Sequence, residues 1–200
     1  MTEKTPSAKK SSKIKAFSHS KKYFCEYLTR ADDLGRVVIP KEIRRTMRIR
    51  EGDPLEIFTT RDGEVIFKKY SLIGGLEDFA AQFCDTLAHS SDFTAAITDR
   101  DSVIATAGPG KRELIGHNLS PEMEQLMEGR SVYQRAKDDE ALPVCEGSTR
   151  LVALTAAPIL CQGDVLGLVL FAAEKGQLPG ESEYKLAQTV AAFLGRHMEA

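Results

Sequence analysis

Apolar positions along this chain change spacing as it proceeds, and each spacing marks a kind of element. Val37-Val38-Ile39 is a β-branched run too short for a helix. Leu55 and Ile57 alternate, as do Val65 and Phe67, and Asp62-Gly63 between the two pairs is a tight-hairpin signal. From Leu76 the rhythm changes, and Leu76, Phe79, Ala80, Phe83 and Leu87 fall on one face of a helix. Strands are predicted at 93–98 and 103–106 around the turn Asp99-Arg100-Asp101. A short helix is predicted at 122–128, with Met123, Leu126 and Met127 inward. Residues 134–150 are polar and patternless, which predicts a mobile loop. Two long apolar strands follow at 151–160 and 165–173, turning at Gln162-Gly163. A helix over 181–199 closes the chain, with Leu186, Val190, Phe193 and Leu194 apolar.

This pattern divides the chain. Residues 1–22 are rich in Lys and Ser and offer too little apolar surface to offset ordering entropy, so they read as a disordered basic tail. Such a tail either lies along phosphates or is simply solvated. A first domain is predicted at 23–70, a linker at 71–75 with Gly74-Gly75, and a second domain at 76–200. Charge follows the same division. Residues 1–70 hold 17 Lys and Arg against 10 Asp and Glu, and the remainder holds 10 against 19. A net charge of −2 therefore hides a basic head and an acidic body. That asymmetry draws the head toward phosphate and keeps the body away from it.

The segment DDLGRVVIPKEIRR, residues 32–45, carries the chemistry. Asp32-Asp33-Leu34-Gly35 is turn chemistry, Val37-Val38-Ile39 a short strand, and Pro40 suits the first turn of a helix. Ile43 and Met47, four residues apart, are expected to face inward and to leave Arg44, Arg45 and Arg48 on the other side. With Arg36 ahead of the strand, these guanidiniums suit phosphate oxygens and guanine edges.

Turn, strand, Pro-started helix and second hairpin, in that order over roughly 24–70, resemble the AbrB-type swapped-hairpin DNA-binding domain. Within that family the chain is most similar to regulators of endospore-forming bacteria. The resemblance implies an α+β chain whose head is a dimeric swapped-hairpin β-barrel, and a transcriptional role in sporulation or stationary phase. Its DNA-contacting positions fall on Arg30, Arg36, Lys41, Arg44, Arg45 and Arg48. Thr29 departs from the basic pair usual at the end of the first strand, and Lys21 and Lys22 are nearby replacements for that charge. A unit of about 47 residues is too small to bury a sufficient core alone, which favours two chains exchanging hairpins.

Behind such a head, the order of elements in 76–200 is similar to GAF- or PAS-like sensor domains: an antiparallel sheet with helices on one face and a loop-covered cavity on the other. Arg112, His117 and Arg150 lie in the loops that would wall that cavity, and they suit an anionic or nucleotide-like effector. Assembly without any effector is the competing expectation. Helices 76–90 and 181–199 carry more apolar surface than one sheet face needs, with Phe79, Phe83, Tyr184 and Phe193. They are expected to pair between copies and make a homotetramer from the dimer.

Other classes fit less well. The four histidines stand near no ligand or triad spacing, and Ala107-Gly108-Pro109-Gly110-Lys111 is too short for a phosphate-binding loop. No catalytic residue, metal or cofactor is expected. Cys25, Cys84, Cys145 and Cys161 show no paired spacing and read as reduced thiols. Cys145, in the polar loop, is either a partly exposed inert thiol or a redox sensor. No run of eighteen apolar residues exists, so no membrane partner is expected. Double-stranded DNA, further copies of the chain and an unidentified small effector are the expected partners, in the cytoplasm at the nucleoid. An antitoxin sharing the head, and a nucleoid-associated protein without effector sensing, are the alternatives.

Overall fold

The computed structural model describes residues 29–70, 73, 76–148 and 150–199. The predicted basic tail and most of the predicted linker lie outside these residues. The chain divides into two compact units after Glu51.

In the first unit a carboxylate organises the turn. Asp32 Oδ1 accepts the N–H groups of Leu34 at 3.1 Å and Arg36 at 2.8 Å. Gly35 supplies φ +77°, a value that a side chain would resist. Val37-Val38-Ile39 makes a single bridge here, between Val37 and Ala31. Helix α1 (Lys41–Thr46) starts after Pro40, whose carbonyl accepts Arg44 N–H at 3.0 Å. The helix stops one residue earlier than the Ile43–Met47 spacing predicts: Met47 is its C-cap and is exposed rather than inward. Arg48 then takes φ 51°. Ile49 N–H donates to Arg44 O at 2.8 Å and Arg48 N–H to Arg45 O at 3.2 Å. This closure usually places glycine at the left-handed position.

The second unit opens with a turn into the hairpin β1 (Leu55–Thr59) and β2 (Val65–Lys69), paired from Leu55↔Lys69 to Thr59↔Val65. Next come α2 (Glu77–His89), β3 (Thr94–Thr98), β4 (Val103–Ala107), α3 (Pro121–Gly129) and β5 (Tyr133–Gln134). The unit ends with β6 (Leu151–Cys161), β7 (Asp164–Glu174) and α4 (Glu181–His197). Five of these strands form an antiparallel sheet in the order β4-β3-β7-β6-β5. The result is α+β, an antiparallel sheet flanked by helices, as the spacing predicts.

Strands β6 and β7 read as continuous apolar runs because both of their faces are covered. Val169 and Phe171 join Ala80, Cys84 and Leu87 of α2 and Ala187, Val190 and Leu194 of α4 in one buried cluster. Leu168 and Leu170 join Met123 and Met127 of α3, with Leu114, Leu119, Val144 and Cys145, in the other. Period-two alternation thus feeds two cores from one strand.

Two expectations are overturned here. The face away from α2 and α4 is filled with side chains rather than hollow, because Met123, Leu114 and Leu119 reach into it fully buried. Residues 134–148 are pinned where the sequence predicts a mobile loop over 134–150. Tyr133↔Ala156 pairing, Arg135 N–H to Leu154 O at 2.8 Å, Ala153 N–H to Leu142 O at 2.9 Å and Ser120 N–H to Val144 O at 3.0 Å hold them. Backbone hydrogen bonds to the edge of the sheet leave no trace in side-chain patterning.

Candidate nucleic-acid interface

Lys41, Arg44 and Arg45 project from α1 at spacings of three and four residues, and all three are exposed. Arg30 is exposed in extended chain ahead of the turn. Arg36 is exposed too, with Nε 2.7 Å from Asp32 Oδ2. That contact uses one edge of the guanidinium fork. The Arg36 N–H and then its side chain hold the Asp32 carboxyl below the usual carboxylate range. Arg48 lies beyond the end of α1, half-buried. Thr29, the departure from the expected basic pair, donates its hydroxyl to Val38 O at 2.6 Å.

Chemically, three cations on one short helix face present forked and point-charge donors to an acceptor-rich partner. Pro40 and the Arg44–Ile49 bond fix both ends of that helix, so sequence punctuation positions the charges. The i, i+4 pairing of Asp32 with Arg36 was readable from spacing, yet it escapes a reading that counts only the arginines.

The three residues proposed to meet an effector are dispersed in role. Arg150 bridges Glu113 at 2.6 Å and Glu174 at 2.9 Å and is exposed. Those two carboxylates, Glu174 foremost, raise its already high pKa further. It borders a shallow cavity of about 160 Å³ with Asp92, Phe93, Gly110 and Leu151, and neither Arg112 nor His117 lines that cavity. His117 is exposed, with Nδ1 3.2 Å from Ile115 O.

Cys145 is buried, not partly exposed, and burial pushes its thiol up to about 11. Burial pushes Cys84 up to about 12. Both thiols are held protonated near neutral pH, which disfavours nucleophilic chemistry at either. Among the described residues no helix is long and apolar enough to cross a membrane.

The second domain matches the family described as stage V sporulation protein T C-terminal, transcription factor, over residues 75–199. Stage V sporulation protein T of Bacillus subtilis (strain 168) is 47% identical over 171 residues, covering 85% of this chain and 95% of the relative. The chain belongs to the stage V sporulation protein T family. Its AbrB-type head is visible separately: residues 28–72 match the family of MazE antidote-toxin recognition, bacterial antitoxin. The transition state regulatory protein AbrB of Bacillus subtilis (strain 168) is 56% identical over 41 residues, 20% of this chain and 42% of the relative. Among solved structures, the GAF domain of an Acinetobacter phosphoenolpyruvate-protein phosphotransferase is 15% identical with TM-score 0.45. It covers 66% of this chain and 84% of that one. As a member of the stage V sporulation protein T family, the chain is a transcription factor of the AbrB type and not an enzyme.

Proposed function

We propose that the chain regulates sporulation or stationary-phase genes by docking duplex DNA through Arg30, Arg36, Lys41, Arg44, Arg45 and Arg48, in the cytoplasm at the nucleoid. The exposed Lys41-Arg44-Arg45 face of α1 carries this reading, because among the described residues none of the three cations is held in an ion pair. Phosphate contacts supply affinity, and forked guanidiniums add base-edge contacts.

The DNA-binding domain in this reading is 23–70, with 71–75 as linker and 76–200 as the assembly domain. A second copy completes the head. In the first unit Leu34 and Val38 are 72% and 70% exposed, and in the second Ile57 and Val65 are 57% exposed or more. Apolar surface of that extent on so small a head is what an exchange of hairpins covers. A further pairing through α2 and α4 makes the tetramer: Phe79, Phe83, Phe193 and His197 form a ring cluster, with Phe79 and Phe83 centroids 5.0 Å apart and Phe193 still half exposed. Assembly without effector sensing is the second reading, and the filled sheet face favours it.

Fluorescence anisotropy of the full chain on mixed duplex across a salt series tests the reading. Steep salt dependence that Arg44→Ala makes shallower supports it; unchanged affinity and slope in that variant would place the docking face elsewhere.

A further inference from the structure

Both oxygens of the Asp32 carboxylate are engaged within its own turn. Oδ1 accepts the N–H groups of Leu34 at 3.1 Å and Arg36 at 2.8 Å, and Oδ2 accepts Arg36 Nε–H at 2.7 Å. The backbone closes the same loop from the other direction. Asp32 N–H donates to Arg36 O at 3.0 Å, and Gly35 N–H donates to Asp32 O at 3.1 Å. Main chain and side chain of Arg36 are thus both tied to one residue. A carboxylate gripped by backbone N–H groups does not swing with the long side chain it meets, so it fixes where that side chain ends. Arg36 is nonetheless open to a partner, with 74% of its side chain exposed.

The contact also decides which donors remain. A guanidinium offers paired N–H donors along two edges, one that includes Nε and one across the two terminal nitrogens. Nε is engaged, so the terminal edge is the complete pair that Arg36 presents. Two ligands match such an edge: the oxygens of a phosphate, and O6 with N7 of guanine in the major groove. They differ in charge. The Arg36 N–H and then the guanidinium hold the Asp32 carboxyl low, so it is ionised at neutral pH. A phosphate on the terminal edge would face that carboxylate across a single guanidinium, and the two anions repel. Guanine offers the same two acceptors without the charge. Arg44 and Arg45 of α1 have no carboxylate paired with them among the described residues, and so suit phosphate.

We propose that Asp32 is a specificity-determining residue that acts through Arg36: it withholds the guanidinium from phosphates and sets its terminal edge for O6 and N7 of guanine. This rests on the DNA-binding reading above and adds the base that one of its arginines selects. Asp32 itself is a positioning residue and touches no DNA in this role.

Fluorescence anisotropy of the full chain on two duplexes of one mixed sequence tests it. In the second duplex every guanine is replaced by 7-deazaguanine, which lacks N7 while every phosphate stays. Near physiological salt the wild type should prefer the first duplex by about tenfold, as one paired base contact ordinarily gives. In Asp32→Asn the freed guanidinium takes phosphate as well. Binding to the deaza duplex should then strengthen severalfold, and the preference should fall to within about twofold. Arg36→Lys keeps the charge and lacks the paired edge, so it should lose the preference but keep its salt slope. In that background Asp32→Asn should lower the preference no further.

A wild type that binds both duplexes equally, an Asp32→Asn variant that keeps the preference, or a second fall in the double variant would overturn the role of Asp32. Absence of salt-dependent binding to either duplex would instead overturn the DNA-binding reading, and this role with it. If Asp32→Asn opens the turn, amide exchange at Leu34 and Arg36 rises, and the wild type decides by arginine-detected NMR. Its Arg36 Nε–H should exchange with solvent about tenfold more slowly than those of Arg44 and Arg45 in the free chain. Equal exchange at all three would overturn the role.

Discussion

The sheet domain and the head use the same kind of residues to opposite ends. Phe171, Leu154, Ile97 and Leu194 vanish into cores that the chain builds for itself. Val38 and Ile57 are as apolar, yet they face solvent in the single chain. Apolar positions mark a strand in both places, β7 at Phe171 and β1 at Ile57, but only the first is covered by the described chain. Burial is a property of the assembly, and sequence pattern alone does not tell whether the cover comes from within.

The sharpest way to break that contrast is a matched pair of truncations. Phe171→Ala should cost about 3–5 kcal/mol in a denaturant melt of the second domain. Ile57→Ala should cost about 2–5 kcal/mol if a second copy buries it. A cost within about 0.5 kcal/mol would mean that Ile57 stays wet and the head is not completed by a partner. Second in size, Arg44→Ala should weaken duplex binding about tenfold and lower the log–log salt slope by about 0.9, read by anisotropy. Arg48→Gly, by contrast, removes charge while suiting the left-handed position, so α1 should keep its end by backbone chemical shifts. Any fall in affinity then measures the charge alone.

A smaller effect comes from Asp32. Replacing it with Asn leaves an oxygen for the turn but releases Arg36, so duplex affinity should rise severalfold at low salt and the gain should fade as salt increases. The carboxyl is held low, so its contribution to the turn is fully present above the ordinary carboxylate range and is lost as pH falls through its depressed value. Stability of the turn should therefore be flat from pH 6 to 8 and decline only below about pH 4, by amide exchange at Leu34 and Arg36. The smallest signal is chemical. At pH 8 a thiol held near 11 is ionised roughly one part in a thousand, so peptide mass spectrometry after iodoacetamide treatment should find Cys145 and Cys84 unmodified in the native protein.

Much of this was legible in the sequence. Helices α2, α3 and α4 and strands β3 to β7, apart from the two-residue β5, follow from period and turn residues. The family resemblance follows from the order of turn, strand, proline and hairpin. Three things were not legible. Strand β5 and the pinning of 134–148 depend on backbone groups, which any residue supplies. The filled sheet face depends on where Leu114, Leu119 and Val144 come to rest, and those lie in irregular segments without a period. The Lys69–Asp101 pair joins residues 32 positions apart, with no spacing rule to link them. Arg48 was misplaced for a simpler reason: side-chain periodicity continues past Thr46, but the backbone has already turned left-handed.

The packed face beneath α3 sets the terms on which any small effector would enter. With Met123, Met127, Leu168 and Leu170 occupying it, a ligand there has to bind a minor, opened form of the domain. Its apparent affinity is the intrinsic one reduced by the population of that form. Methionine yields more readily than leucine because it is unbranched, so Met123 and Met127 are the side chains of that face that repack most easily. Truncating them would raise the open population before any ligand is known. Access to that face is set by how tightly the core beneath α3 closes.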